Sequence, residues 1–174
     1  MVTSKNPLIY VVDDDANFRK MISAFLHQNR LSNIQQFSSG EEMLEQFLIK
    51  PPSIVVQDFD LGPGKLTGLE VLKKAREINP NIDFLFLSGQ NNINVAVEVI
   101  KNGAFDYVIK DDSAQDNLLN RLRKLIFQVR LVRSQKLMRK GLILFFAVVL
   151  VAVVISYVIG MRIHMLNHNM PIGF

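Results

Sequence analysis

A chain of 174 residues, 49% of them hydrophobic, has material for one core and an appendage. It has no cysteine, which excludes a disulfide framework and a thiolate metal site. The formal charge of +4 hides an asymmetry: residues 1–120 carry 11 Lys/Arg against 16 Asp/Glu, residues 121–140 carry eight Lys/Arg and no acid, and no acid follows Asp116. An acidic domain followed by a basic segment is therefore expected. The first residues, "MVTSKNP", lack the apolar run of a signal peptide, and Asp13 to Asp15 would interrupt one.

Apolar strand patterns alternate with amphipathic helical patterns five times along residues 8–128. Leu8 to Val12 reads as a strand, and Phe18, Met21, Ile22, Phe25 and Leu26 recur at helical spacing after it. Asn33 to Phe37 suits a short edge strand. "SGEE" at Ser39 reads as a capping box opening a helix with Met43, Leu44, Phe47 and Leu48 on one face. Ile54 to Gln57 is the third strand. "TGLE" at Thr67 is a second capping box, and Asn79-Pro80 ends that helix. Ile82 to Leu87 follows as a strand, then a helix with Val95, Ala96, Val99 and Ile100, stopped by Gly103. Phe105 to Ile109 is the fifth strand, and "SAQD" at Ser113 opens the last helix. Such alternation predicts an α/β fold, a doubly wound parallel sheet covered on both faces.

Ligands of open parallel sheets sit beyond the carboxyl ends of the strands, where the strand order reverses. Both acidic clusters fall there: "VVDDD" after the first strand and "VVQDFD" after the third. With a strand order of 2-1-3-4-5 the two ends are neighbours and the acids converge. Crowded carboxylates must take up protons or bind a cation. An all-oxygen site open to water suits Mg²⁺, with Asp13, Asp14 and Asp58 as ligand sources. A carboxylate can also be a nucleophile and form an acyl phosphate. The fourth and fifth strands end in "FLFLSG" and "DYVIKD", which bring the Ser88 hydroxyl and the Lys110 ammonium to the same rim, where both can bind phosphate oxygens.

On these motifs, "VVDDD", Asp58, Ser88 and "GAFDYVIK" with Tyr107 and Lys110, the chain from about Pro7 to Gln128 resembles a response regulator receiver domain. The resemblance implies a flavodoxin-like five-stranded sheet. It implies Asp58 as phosphoacceptor, a histidine kinase or histidine phosphotransfer protein as donor, and a signalling domain rather than an enzyme. It further implies Mg²⁺ at Asp14 and Asp58, through water at Asp13 and at the backbone carbonyl of Asp60. It makes Ser88 and Tyr107 the switch pair and Lys110 the holder of the phosphoryl group. Two positions depart from the family pattern. The loop "DFDLGPGKLTG" is about two residues longer than usual, and Asp111 stands where the family usually has a proline in a cis peptide, so a trans peptide and a less firmly aimed Lys110 are expected there.

Two other readings use the same residues. "DFD" fits the Asp-x-Asp signature of haloacid dehalogenase-like phosphatases, with Asp58 as nucleophile and Asp60 as general acid, but it leaves Asp13 to Asp15 without a role. A receiver-like adaptor that is never phosphorylated is the third.

Residues 120–140 contain no proline or glycine and continue the last helix. Leu118, Leu122, Leu125, Val129 and Val132 form a short seam: its first half is expected on the sheet, its second as a basic juxtamembrane helix over residues 129–140, with a homodimer possible. "GLILFFAVVLVAVVISYVIG", residues 141–160, is twenty residues without a charge and is expected to cross a bilayer as one helix. The charges before it put the receiver in the cytoplasm and residues 161–174 outside, and they are drawn to anionic lipid rather than to nucleic acid. His164 and His168, with Met161 and Met165, are a featureless tail or, less simply, a soft-metal face. The expectation is a stand-alone, membrane-anchored phosphoreceiver whose output passes to an unknown protein near Tyr107.

Overall fold

The structure is a computed structural model that describes residues 6–89 and 93–128, and residues 142, 145, 146, 148–150 and 159–161. Residues 1–126 form one compact unit and residues 127–174 a second. In the first unit the elements run β1 (Ile9–Val12), α1 (Ala16–Gln28), β2 (Ile34–Phe37), α2 (Gly40–Ile49), β3 (Ile54–Asp58), α3 (Gly68–Ile78), β4 (Asp83–Ser88), α4 (Ile93–Lys101) and β5 (Asp106–Ile109). A last helix, α5, begins at residue 114. The five strands are all parallel, in the order β2-β1-β3-β4-β5. This is the predicted flavodoxin-like sheet.

The central strands are apolar because both faces are covered. Every residue of β1 and β3 is buried, as is β4 after its first residue. Their β-branched and aromatic side chains suit a pleated surface packed on two sides. Edge strand β2 is polar and half-open, with only Phe37 buried. Burying a side chain such as Phe47 or Phe84 is worth roughly 2–3 kcal/mol, and both are fully covered. In α5, Leu118, Leu122 and Leu125 are buried, so the first half of the seam packs on the domain as expected. Val129 and Val132 lie outside the described residues.

Helix starts follow the sequence signals with one change. Asp15 caps α1, its side chain accepting from the N–H groups of Asn17 and Phe18. Thr67 and Glu70 form the full reciprocal box at α3. At α2, Ser39 accepts from the Glu42 N–H at 3.2 Å, but the Glu42 carboxylate turns to Ser38, taking its N–H at 3.0 Å and its hydroxyl at 3.1 Å. Some residues expected on inward faces are open: Met21 is 42%, Leu48 68% and Ile100 44% exposed. A helical stripe wider than the groove it covers leaves its edge residues in solvent.

Among the described residues, no helix is long and apolar enough to cross a membrane. Most of the expected span at residues 141–160, the basic helix at 129–140, and His164, Met165 and His168 lie outside the described residues.

Candidate functional site

Parallel strands deliver their carboxyl ends to one rim, and four chemical groups meet there. Asp58 is the last residue of β3 and Ser88 the last of β4; Asp13 follows β1 and Lys110 follows β5. The Lys110 Nζ lies 2.6 Å from Asp58 Oδ2 and 2.6 Å from Asp13 Oδ2. The same ammonium stands 4.4 Å from the centre of the Phe18 ring. An open cleft of about 320 Å³ is lined by Asp14, Asp58, Asp60, Gly62, Ser88, Gly89 and Lys110.

Burial sets the electrostatics. Asp58 is 6% and Asp13 2% exposed. Removal from water raises the Asp58 carboxyl pKa to about 6; hydrogen bonding and charge from Lys110 pull it down, the neighbouring Asp13 pushes it up, and the Asp60 N–H pulls it down. Burial works against the Lys110 ammonium, but its contacts with Asp13 and Asp58 outweigh this and lift its pKa above the ordinary lysine value. A cation held between two carboxylates therefore keeps its charge, and Asp58 is mostly ionised at neutral pH.

Carboxylate oxygens of Asp13, Asp14 and Asp58 all lie within 4.8 Å of one another. A hard, all-oxygen, water-accessible set of this kind fits Mg²⁺. Asp13 has one oxygen on Lys110 and the other accepting from the Asp15 N–H at 3.0 Å, so its capacity is already shared. Asp14 is on the exposed side and lies beside Gly62. Asp60 lines the cleft, but its carboxylate accepts from the Gly62 N–H at 3.1 Å and is not in the three-acid group.

The loop after Asp58 has a defined course. Leu61 is 1% exposed and anchors it in the core. Gly62 and Gly64 take φ values of 88° and 78°, open to glycine at little cost. Glu41 in the first turn of α2 accepts from the Leu66 N–H at 2.8 Å, and Lys65 donates to the Ser38 carbonyl at 3.1 Å. These contacts bridge the loop to α2. At the other departure, no cis peptide occurs among the described residues, as expected for Asp111. Lys110 is nonetheless aimed squarely at the acids, contrary to the loose aim expected. Its N–H bonds the Ser88 carbonyl at 2.8 Å, and the Asp111 carboxylate takes the Ser113 N–H at 2.9 Å and hydroxyl at 2.7 Å, closing an Asx turn into α5.

Ser88 is 1% exposed, at the wall of the cleft. Tyr107 sits on the far side of β5, partly buried against the core, and does not line the cleft. It lines instead a surface groove with Ala96, Val97, Ile100 and Lys101.

Residues 9–123 match the family model of the response regulator receiver domain. The chain belongs to the response regulator receiver family. As a receiver it is similar over 138 residues, at 28% identity, to the C4-dicarboxylate transport transcriptional regulatory protein DctD of Rhizobium meliloti, with 79% of this chain and 29% of that protein covered. It is 32% identical over 109 residues to the transcriptional regulatory protein ZraR of Escherichia coli, covering 63% of this chain and 24% of that one. The receiver thus spans less than a third of these curated relatives. Among solved structures, it superposes on a BeF3-activated DrrB receiver domain with a TM-score of 0.61 at 29% identity, over 70% of this chain and 97% of that one. The receiver domain of Francisella response regulator 1452 gives 0.64 at 27% identity, over 71% and 99%. Receiver domains bind Mg²⁺ at an acidic cluster, and Asp13, Asp14 and Asp58 form a possible site for it. Membership also implies a histidine kinase or phosphotransfer partner. The phosphatase-like reading left Asp13 to Asp15 idle, whereas Asp13 and Asp14 join the cluster and Asp15 caps α1.

Three contributors were not legible beforehand. Phe18 supplies a ring face to Lys110, Arg19 donates from its guanidinium to the Asp13 carbonyl, and buried Gln57 donates to the Asp58 carbonyl at 2.8 Å. Only the nearness of Phe18 and Arg19 to "DDD" hinted at the first two.

Proposed function

We propose that this receiver accepts a phosphoryl group on Asp58 in a two-component or phosphorelay pathway. The observation that carries the reading is the Lys110 ammonium held 2.6 Å from both Asp58 and Asp13 at the rim of the sheet. An ionised Asp58 oxygen attacks the phosphorus of a phosphohistidine; the P–N bond breaks, a P–O bond forms, and the imidazole leaves with the electron pair and takes up a proton. Lys110 then exchanges a carboxylate contact for a phosphoryl oxygen, and the Ser88 hydroxyl donates to another. Mg²⁺, held by Asp14 and Asp58, with Asp13 acting through water and Asp60 through its carbonyl, would neutralise charge on the incoming phosphate. Tyr107, on β5, reports the change to a partner protein.

The reading places this receiver at the cytoplasmic face of a membrane. Twenty residues without a charge at 141–160 support a single span, and eight Lys/Arg without an acid at 121–140 support cytoplasmic orientation and attraction to anionic lipid.

Phosphotransfer from candidate kinases is the test of the first part. Wild-type chain should become labelled with an acid-stable, base-labile phosphate and Asp58→Asn should not. Labelling of the variant at an acyl phosphate would reassign the nucleophile. For the second part, the full chain should stay with membranes after alkaline carbonate washing, and a tag at Phe174 should be reachable only from outside.

A further inference from the structure

In a parallel sheet whose helices all run back against the strands, every helix ends at the pole opposite the phosphoacceptor rim. Among the described residues of the first unit, four of the seven exposed large apolar side chains lie there; Ile93 opens α4 at the other rim, and Met21 and Val97 lie before the last turns of α1 and α4. Leu48 and Ile49 close α2 at 68% and 78% exposure, and Ile78 and Ile100 lie in the last turns of α3 and α4 at 44% each. Lys50 follows Ile49 and Lys101 follows Ile100, both exposed. Strand order and right-handed crossovers put α2, α3 and α4 on one face of the sheet, so these side chains edge one side of the pole. Apolar residues next to lysines at one end of a domain match the interfacial region of an anionic bilayer, where acyl chains take the apolar groups and headgroups take the ammonium ions.

Helix α5 leaves the first unit at the same pole, and the sequence beyond it passes through Arg130, Arg133, Lys136, Arg139 and Lys140 into the uncharged residues 141–160. We infer that the receiver rests its helix-end pole on an anionic bilayer through Leu48, Ile49, Ile78, Ile100, Lys50 and Lys101, leaving the Asp58 cleft turned toward the cytosol. The inference rests on the membrane reading above and goes beyond it: tethering alone does not orient the domain, whereas docking presents Asp58 to a donor from one direction.

The chain has no tryptophan, so one introduced residue reports cleanly. The full chain is reconstituted in anionic nanodiscs at one copy each, carrying either Ile49→Trp or, at the opposite pole, Pro63→Trp. The expected result is a blue-shifted emission at position 49 that lipids brominated on their acyl chains quench, with water-like, unquenched emission at position 63. The shift should shrink in zwitterionic discs and disappear when Leu48→Glu and Ile100→Glu are added, while circular dichroism shows the fold intact. A chain that stays in the discs with position 49 unquenched overturns docking and leaves the anchor standing. A chain that fails to enter discs overturns the anchor and docking together. A shift seen only at two copies per disc overturns the lipid in favour of a second copy of the chain.

Discussion

Lys110 Nζ and Asp58 Oδ2 lie 2.6 Å apart although 52 residues separate them in the chain. The contact exists because β3 and β5 flank β4 in one parallel sheet and end at the same rim. A buried carboxylate in that position costs stability before it does any work, and the ammonium offsets part of that cost.

The sign of the Asp58 pKa gives a stability prediction. Its folded value of about 6 lies above the ordinary 3.8, so the folded state holds the proton more tightly. The associated stability is fully present below the ordinary value and is lost as pH rises through about 6. Two pH units correspond to about 3 kcal/mol. Asp58→Asn should therefore be more stable than wild type at pH 7 by about 1–3 kcal/mol, and urea melts should show the gap closing toward pH 4. Added Mg²⁺ should narrow the gap at pH 7 by stabilising only the wild type.

Removing the cation should hurt in the opposite sense. Lys110→Ala leaves Asp13 and Asp58 facing each other in a buried site without their shared partner. The apo protein should lose about 3 kcal/mol at neutral pH, as when one member of a buried pair is deleted. Calorimetric Mg²⁺ affinity should hold or rise, since a lysine repels the metal, while binding of a beryllofluoride phosphate mimic should weaken. Weaker Mg²⁺ binding would show that Lys110 positions the acids rather than the phosphate.

Asp14 separates metal binding from folding. It is exposed and belongs to the three-acid group. Asp14→Asn should weaken Mg²⁺ at least tenfold with stability changed by no more than about 0.5 kcal/mol. Unchanged affinity in a titration would move the metal elsewhere.

Gly68 tests how closely α3 abuts the phosphoacceptor. A Cβ there would come 2.5 Å from the Asp58 carbonyl oxygen, 2.8 Å from the Phe86 ring and 3.0 Å from the Phe59 Cα. Backbone atoms cannot step aside as a side chain can, so Gly68→Ala should cost about 1–3 kcal/mol and slow phosphorylation as well. Leu61→Ala, by contrast, empties a core position under the loop and should cost about 2–5 kcal/mol, read by thermal melting.

The order of strands and helices was legible because each element carries its own short-range signal. Full burial made β1 and β3 continuous apolar runs, and Ser39 and Thr67 marked helix starts through hydrogen bonds to groups three residues away. Local chemistry of that kind is written in adjacent residues. Asp13, Asp14, Asp58, Ser88 and Lys110 were legible in the same way, since strand ends are local and parallel topology sends them to one rim. What the sequence alone left open was every choice that depends on approach between distant segments. Phe18 meets the Lys110 ammonium only because the long lysine side chain reaches back across the rim from β5 to Asp13 after β1, and Glu41 holds Leu66 only because α2 and the loop after Asp58 share a face. Periodicity counted Met21, Leu48 and Ile100 among inward positions, but how much of a helical stripe is covered depends on the width of its neighbour, which only tertiary packing decides. The raised pKa of Asp58 has the same origin: a carboxylate's charge is a property of its residue, but its desolvation is set by the walls that the rest of the fold builds around it.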